Sequence, residues 1–208
     1  MQGAKETLCA LRSLELRGPA MTDELLDVVN DDDTITAQEM RSAVHRLGLQ
    51  HRGVHVFLIT PQDKLLVQQR SRHKETLPLA LDCSVSEHLK AGEDYREAAV
   101  RGLAEELGIH GLRIHPLLKF KMNYGPNDDQ ICQLYEGRVD PALVRFDPLE
   151  VEEITCRSLA DMEGLLHSGD ASICGWFVQL LTWYMGGSGE MKILRTYACN
   201  PLLSPARG

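Results

Sequence analysis

Residues 87–109, EHLKAGEDYREAAVRGLAEELGI, constrain this chain more than any other stretch. Over 94–107 the apolar residues Ala99, Leu103 and Leu107 recur every four positions, which predicts one face of an amphipathic helix. Gly108 follows in the position of a C-terminal stop. Glu105 and Glu106 sit at the edge of the stripe, with Arg101 one turn before Glu105 at an ion-pair spacing. Glu93 lies near the helix start, where a carboxylate meets the dipole favourably. Clustered carboxylates suit a hard divalent cation, and magnesium typically keeps waters and bridges to substrate phosphates. The same pair also suits an ordinary solvated acidic face.

Around this helix the pattern is irregular. Residues 54–60 are a dense β-branched and aromatic run, 61–64 supply turn residues, and 65–69 follow as a second strand, so a hairpin is expected. Residues 38–47 have weak helical character, and 79–85 are a short apolar segment. Strands are expected over 112–122, 130–139 and 150–156, and helices over 159–166 and 173–185. This order lacks the regular alternation of a doubly wound sheet and predicts an α+β chain, a mixed sheet covered by helices. Residues 1–20 read as an extension, 21–186 as the folded domain, and 187–208 as a Gly- and Pro-punctuated tail that is partly loose.

Composition excludes several classes. A chain of 208 residues suits one domain, and 43% hydrophobic content is too apolar for a disordered one. Thirty acids against 22 basic residues leave a net charge of -8, which argues against nucleic acid as the main partner. An anionic substrate is still admissible, because a bound cation can oppose the global charge. The six cysteines are scattered without metal-site spacing, so free thiols in a reducing compartment are expected. The longest uncharged stretch, 171–189, is too interrupted to span a membrane. These features predict a cytoplasmic protein, monomer or homodimer, with no membrane partner.

The segment 87–109 resembles the Nudix box, Gx5Ex7REUxEExGU, where U is aliphatic. Glu93, Arg101, Leu103, Glu105, Glu106, Gly108 and Ile109 match in register. Glu87 stands where the box begins with glycine, and Gly102 stands where it carries the glutamate after arginine. The resemblance implies an α/β/α sandwich around a mixed sheet and a hydrolase of diphosphate bonds using Mg2+ or Mn2+. Glu105 and Glu106 carry over as catalytic metal ligands, Glu93 and Arg101 as a brace between loop and helix, and Gly108 as a structural member of the box. Glu87 either supplies a substitute carboxylate or is a solvent-facing loop acid.

The similarity extends to one branch of the superfamily, type I isopentenyl-diphosphate isomerase. In LLVQQRSRHK (65–74), Arg70 and Lys74 fall on its diphosphate-contacting positions, and His51 and His88 match two histidine metal ligands. With one residue gapped, His45 matches a third and Arg41 falls on another diphosphate-binding position. Trp176 matches a tryptophan over the carbocation, and Asp128 replaces an acidic metal ligand. The proton-handling positions differ: Ser86 stands in place of the cysteine and Gln130 in place of the glutamate, and neither serves as the acid or base required.

The resulting expectation is a hydrolase of a small-molecule diphosphate, either an isoprenoid diphosphate or a nucleoside diphosphate derivative, with Trp176 tilting toward the former. Glu105 is the first choice for the base, with Asp128 or Asp129 as others. The alternatives are an isomerase with relocated acid and base groups, and a catalytically weak diphosphate-binding module.

Overall fold

The computed structural model describes residues 23–169 and 172–197. The expected extension, 1–20, lies outside the described residues, as do Cys9 and Cys199. In chain order the elements are β1 (Leu25–Val29), β2 (Ile35–Met40), α1 (Arg41–Leu47), β3 (His51–Ile59), β4 (Leu65–Arg70), β5 (Leu81–Asp82), β6 (Val85–His88) and α2 (Tyr95–Leu107). There follow β7 (Ile114–Asn123), β8 (Asp129–Arg138), a 3-10 turn, β9 (Val151–Arg157), α3 (Leu159–Ser168), α4 (Gly175–Tyr184) and β10 (Lys192–Thr196).

Helix α2 is bounded by local chemistry. Asp94 accepts from the backbone N–H groups of Arg96 and Glu97, both at 2.8 Å, and the Glu97 carboxylate accepts from the Asp94 N–H at 2.9 Å. This capping box satisfies donors that the first turn leaves free, typically worth about 1 kcal/mol. Gly108 closes the helix with φ of 65°. The weak helical pattern expected over 38–47 is divided: Gln38, Glu39 and Met40 pair with β1, and the helix begins only at Arg41. An inter-strand ladder outweighs a weak local propensity there.

At the centre β3 runs parallel to β8, in unbroken register from His51 opposite Gln130 to Ile59 opposite Arg138. The remaining pairs are antiparallel, including β6 on β3 and β7 on β8. Alternation along β3 divides the core in two. Val54, Val56 and Leu58 pack with Val85 of β6 and with Ala99, Leu103 and Leu107 of α2. On the other face Phe57 packs with Phe120 of β7 and with Phe177 and Leu181 of α4. The architecture is the expected α+β sandwich, a mixed sheet between helices.

Within the segment expected to be a partly loose tail, 187–208, five residues form a strand. Lys192–Thr196 joins the sheet as an edge strand on β7, with Lys192 opposite Lys121 and Ile193 opposite Phe120. All five of its side chains are exposed, so it is held through backbone pairing and leaves no hydrophobic periodicity to read. Cys83, Cys132, Cys156 and Cys174 are free thiols. Among the described residues no helix is long and apolar enough to cross a membrane.

Candidate active site

The Arg101 guanidinium ties loop, strand and helix together. It grips Glu93 with Nε and Nη2 at 2.8 and 3.1 Å, and donates from Nη2 to the His88 carbonyl at 2.8 Å. Its Nη1 reaches Glu105 at 3.0 Å and Glu87 at 3.2 Å. The two acids expected to act together at the helix end part company, because successive helical residues point about 100° apart. Glu106 turns inward and is buried, where it meets the Glu87 carboxyl. Burial, with the Glu87 charge second, pushes Glu106 well above the usual carboxylate range. Glu105 stays at the rim, its side chain 53% exposed, held by Arg101 and facing Lys90 at 3.8 Å.

His45, His51 and His88 converge, with one ring nitrogen from each within 4.8 Å of the others. Gly48, at φ of 66°, turns α1 directly into β3 and brings His45 beside His51. The pairing of Gly53 with His88 adds the third ring from β6. The turn before β8 places Asp128 3.8 Å from His45 and 3.9 Å from His51. The His51 Nδ1–H donates to the Leu49 carbonyl at 3.0 Å, leaving Nε2 buried with a lone pair and no hydrogen-bond partner among the described residues. Burial holds the pKa of all three below the ordinary histidine value, the neutral state in which imidazole ligates a metal. Three imidazoles, one of them with a buried free lone pair, and a carboxylate fit a divalent transition ion better than magnesium.

Arg41, Arg70 and Lys74, expected from separate segments to contact a diphosphate, line one cleft with Glu75 and Thr76. Lys74 pairs with Glu150, and its charge reaches Glu106. Arg41 lies close enough to the three histidines to oppose their protonation. One lining residue, Arg41, is therefore near the histidine cluster and another, Lys74, near the inward Glu106.

Two residues that the sequence reading missed organise the floor. Asp82, fully buried, accepts from Arg70 Nη1 at 3.0 Å, the Trp176 indole at 2.6 Å, the Ser86 hydroxyl at 3.0 Å and the Cys83 N–H at 2.7 Å. Because the Ser86 proton is given to Asp82, His55 Nδ1 must be the donor in its 3.0 Å contact with Ser86. His55 Nε2 is then a buried acceptor without a hydrogen-bond partner among the described residues. Burial pushes the His55 pKa down to about 4. An acid inside the apolar run 79–85, and a histidine four residues after His51 on one strand face, were the available signals. The Arg70 guanidinium lies 5.7 Å over the Trp176 ring, and Tyr124 meets that ring edge-on at 5.8 Å. At the two positions compared with isomerase proton carriers, Ser86 is engaged by Asp82, and the Gln130 amide donates to Asp128 at 2.7 Å.

The NUDIX domain family matches residues 49–177. An uncharacterized Nudix hydrolase of Streptomyces coelicolor is 35% identical over 148 residues, 69% of this chain and 80% of its own. A Nudix hydrolase of Deinococcus radiodurans is 33% identical over 133 residues, 63% of this chain and 77% of its own. A crystal structure of a Deinococcus radiodurans protein, 29% identical, superposes with a TM-score of 0.67 over 77% of this chain and 98% of that one. The NUDIX domain of Shewanella oneidensis NrtR, crystallised with ADP ribose, shares the fold at 17% identity and a TM-score of 0.52, over 64% of this chain and 84% of that one. With the family matched across most of the chain and the box brace formed, this chain belongs to the Nudix family and is a hydrolase acting on diphosphate (acid anhydride) bonds.

Proposed function

We propose that the chain hydrolyses the diphosphate of a small metabolite with a divalent cation, Mg2+ or Mn2+, and that Arg41, Arg70 and Lys74 hold the phosphates. The observation that carries this reading is that these three cations line one cleft, with Lys74 near inward-facing Glu106 and Arg41 near the His45, His51, His88 and Asp128 cluster. A divalent cation in such a site polarises the diphosphate and lowers the pKa of water. The side chains of this protein do the rest. Arg41, Arg70 and Lys74 neutralise and orient the phosphate oxygens, and Arg101 keeps Glu93 and Glu105 fixed at the helix edge. Glu106 faces inward as a cation ligand, and Glu105, held at the rim by Arg101, is the first choice for the base.

The substrate is either an isoprenoid diphosphate or a nucleoside diphosphate derivative. Trp176 and Tyr124 offer a flat apolar wall to both. The unpartnered acceptor His55 Nε2, beside that wall, favours a substrate that brings an N–H or O–H group, which a nucleoside has and an isoprenyl chain lacks. The hydroxyl and amide at Ser86 and Gln130 favour hydrolysis over isomerisation.

The test is a panel of nucleoside, dinucleoside, sugar and isoprenyl diphosphates with Mg2+ or Mn2+, read for phosphate and pyrophosphate products. Cleavage of a nucleoside derivative that is lost in Glu106→Gln is the expected result. Conversion of isopentenyl diphosphate to its allylic isomer without phosphate release would overturn it. Hydrolysis left unchanged by Glu106→Gln would overturn the role of the box.

A further inference from the structure

We propose that Glu87 and Gly102 are a reciprocal exchange: the carboxylate absent from α2 at position 102 is supplied across the helix–sheet contact by Glu87 of β6, which ligates the divalent cation together with Glu106. This deepens the proposed function and rests on its reading of the box as a cation site.

The exchange is first a matter of space. A Cβ built on Gly102 would lie 2.6 Å from Val85 Cγ1 and 2.8 Å from Glu87 Cγ, closer than side-chain carbons approach. Val85 and the stem of Glu87 together fill the volume that a side chain at 102 would need. A mid-helix glycine typically costs about 1 kcal/mol relative to alanine, so propensity does not account for it. The close approach of α2 to β6 does.

The carboxyl then arrives where the missing one would be. Position 102 is one helical turn before Glu106, so a glutamate there would lie beside the Glu106 side chain. Glu87 reaches the same place from the strand: its carboxyl meets Glu106 and accepts from Arg101 Nη1 at 3.2 Å. Strand alternation makes this specific. Val85 and Glu87 face α2, whereas Ser86 meets His55 and His88 joins the histidine cluster. Glu87 therefore belongs with the box and not with the imidazoles.

A solvent-facing acid is not what the structure shows. The Glu87 side chain is only 19% exposed. Arg101 is the cation paired with it, and the same guanidinium also serves Glu93 and Glu105. Two adjoining carboxyls, Glu87 and Glu106, thus stand in a largely dry place with less positive charge than they need, an arrangement stable only with a cation or a retained proton.

The experiment titrates Mn2+ alone into the full-length protein by calorimetry, with phosphate-free buffer and no substrate. Glu106→Gln serves as the reference for loss of the box site. Glu87→Gln, which keeps the shape of the side chain and its contact with Arg101, is expected to lose the same binding component, weakening it roughly tenfold or more. Glu87→Gly is expected to do likewise. The double variant Glu87→Gly with Gly102→Glu is expected to recover Mn2+ affinity, while Gly102→Glu alone lowers the melting temperature through the contact with Val85 and Glu87. If Glu87→Gln binds Mn2+ like the parent while Glu106→Gln does not, Glu87 is only a brace for Arg101 and the exchange is wrong, though the proposed function stands. A double variant that keeps the melting temperature of Glu87→Gly, and so has accommodated Val85, yet binds Mn2+ no better than Glu87→Gly overturns the exchange too. If neither Glu106→Gln nor Glu87→Gln changes Mn2+ binding, the box is not a cation site and both readings fall.

Discussion

The Asp82 carboxylate accepts a hydrogen bond from the Trp176 indole at 2.6 Å and so ties β5 to the first turn of α4. The same carboxylate holds Arg70 at 3.0 Å, joining the aromatic wall to the phosphate cleft. Replacing Asp82 with alanine leaves the mostly buried Arg70 guanidinium without its counter-ion. Breaking such a pair from one side typically costs about 3 kcal/mol or more. Urea denaturation of Asp82→Ala should show a loss of that size, and an unchanged midpoint would contradict the role given to Asp82.

Lys74 makes the opposite case. Its ion-pair partner Glu150 is partly solvated, so little stability depends on it. Lys74→Ala should change unfolding free energy by less than about 1 kcal/mol. It should raise KM for the diphosphate substrate by about tenfold, equivalent to about 1.4 kcal/mol. Steady-state kinetics beside a melting curve separates the two effects.

Stability without a cation should depend on pH through Glu106 and Glu87. Burial, the first cause for both, raises their pKa above the unfolded value of 4.5. Their contribution is therefore fully present below 4.5 and is lost as pH rises through the folded values. A bound divalent cation favours the ionised form and reverses this. Addition of Mg2+ or Mn2+ should raise the melting temperature more at alkaline pH than at acidic pH, as differential scanning fluorimetry can show.

His55 acts with the other sign. Burial lowers its pKa from 6.5 to about 4, so its contribution is present above 6.5 and is lost as pH falls toward 4. A His55→Gln variant should be less sensitive to acid across that window. Equal acid sensitivity in chemical denaturation would show that His55 is not held neutral by burial.

Gly108 should tolerate no side chain. Its φ is 65°, and an added Cβ would lie 2.8 Å from the Arg145 carbonyl oxygen. Gly108→Ala should cost more than the roughly 1 kcal/mol of the positive φ alone, measured by equilibrium unfolding.

Residues close together in sequence carried most of what was legible. The ends of α2 follow from Asp94, Glu97 and Gly108, which act within one turn of the helix they bound. The Arg101–Glu93 brace follows from box spacing, and the strands around β3 and β8 from their apolar runs. Arg41, Arg70 and Lys74 were each named from sequence, and the tertiary structure brings them to one cleft. Lys192–Thr196 was not legible, since its pairing with β7 buries no side chain and leaves no pattern.

By itself the sequence determined the helix that carries the box, the order of strands around it and the identity of the basic and acidic groups. These depend on capping, periodicity and turn chemistry, which act between near neighbours. The tertiary structure decided which groups meet. The pairing of β6 with β3 and the turn from α1 into β3 gather three histidines, and the packing of α2 on β6 sets Glu87 beside Glu106 and over Gly102. Such meetings depend on strand register and helix–sheet distance, which are set by the packing of the whole core and not by any one segment.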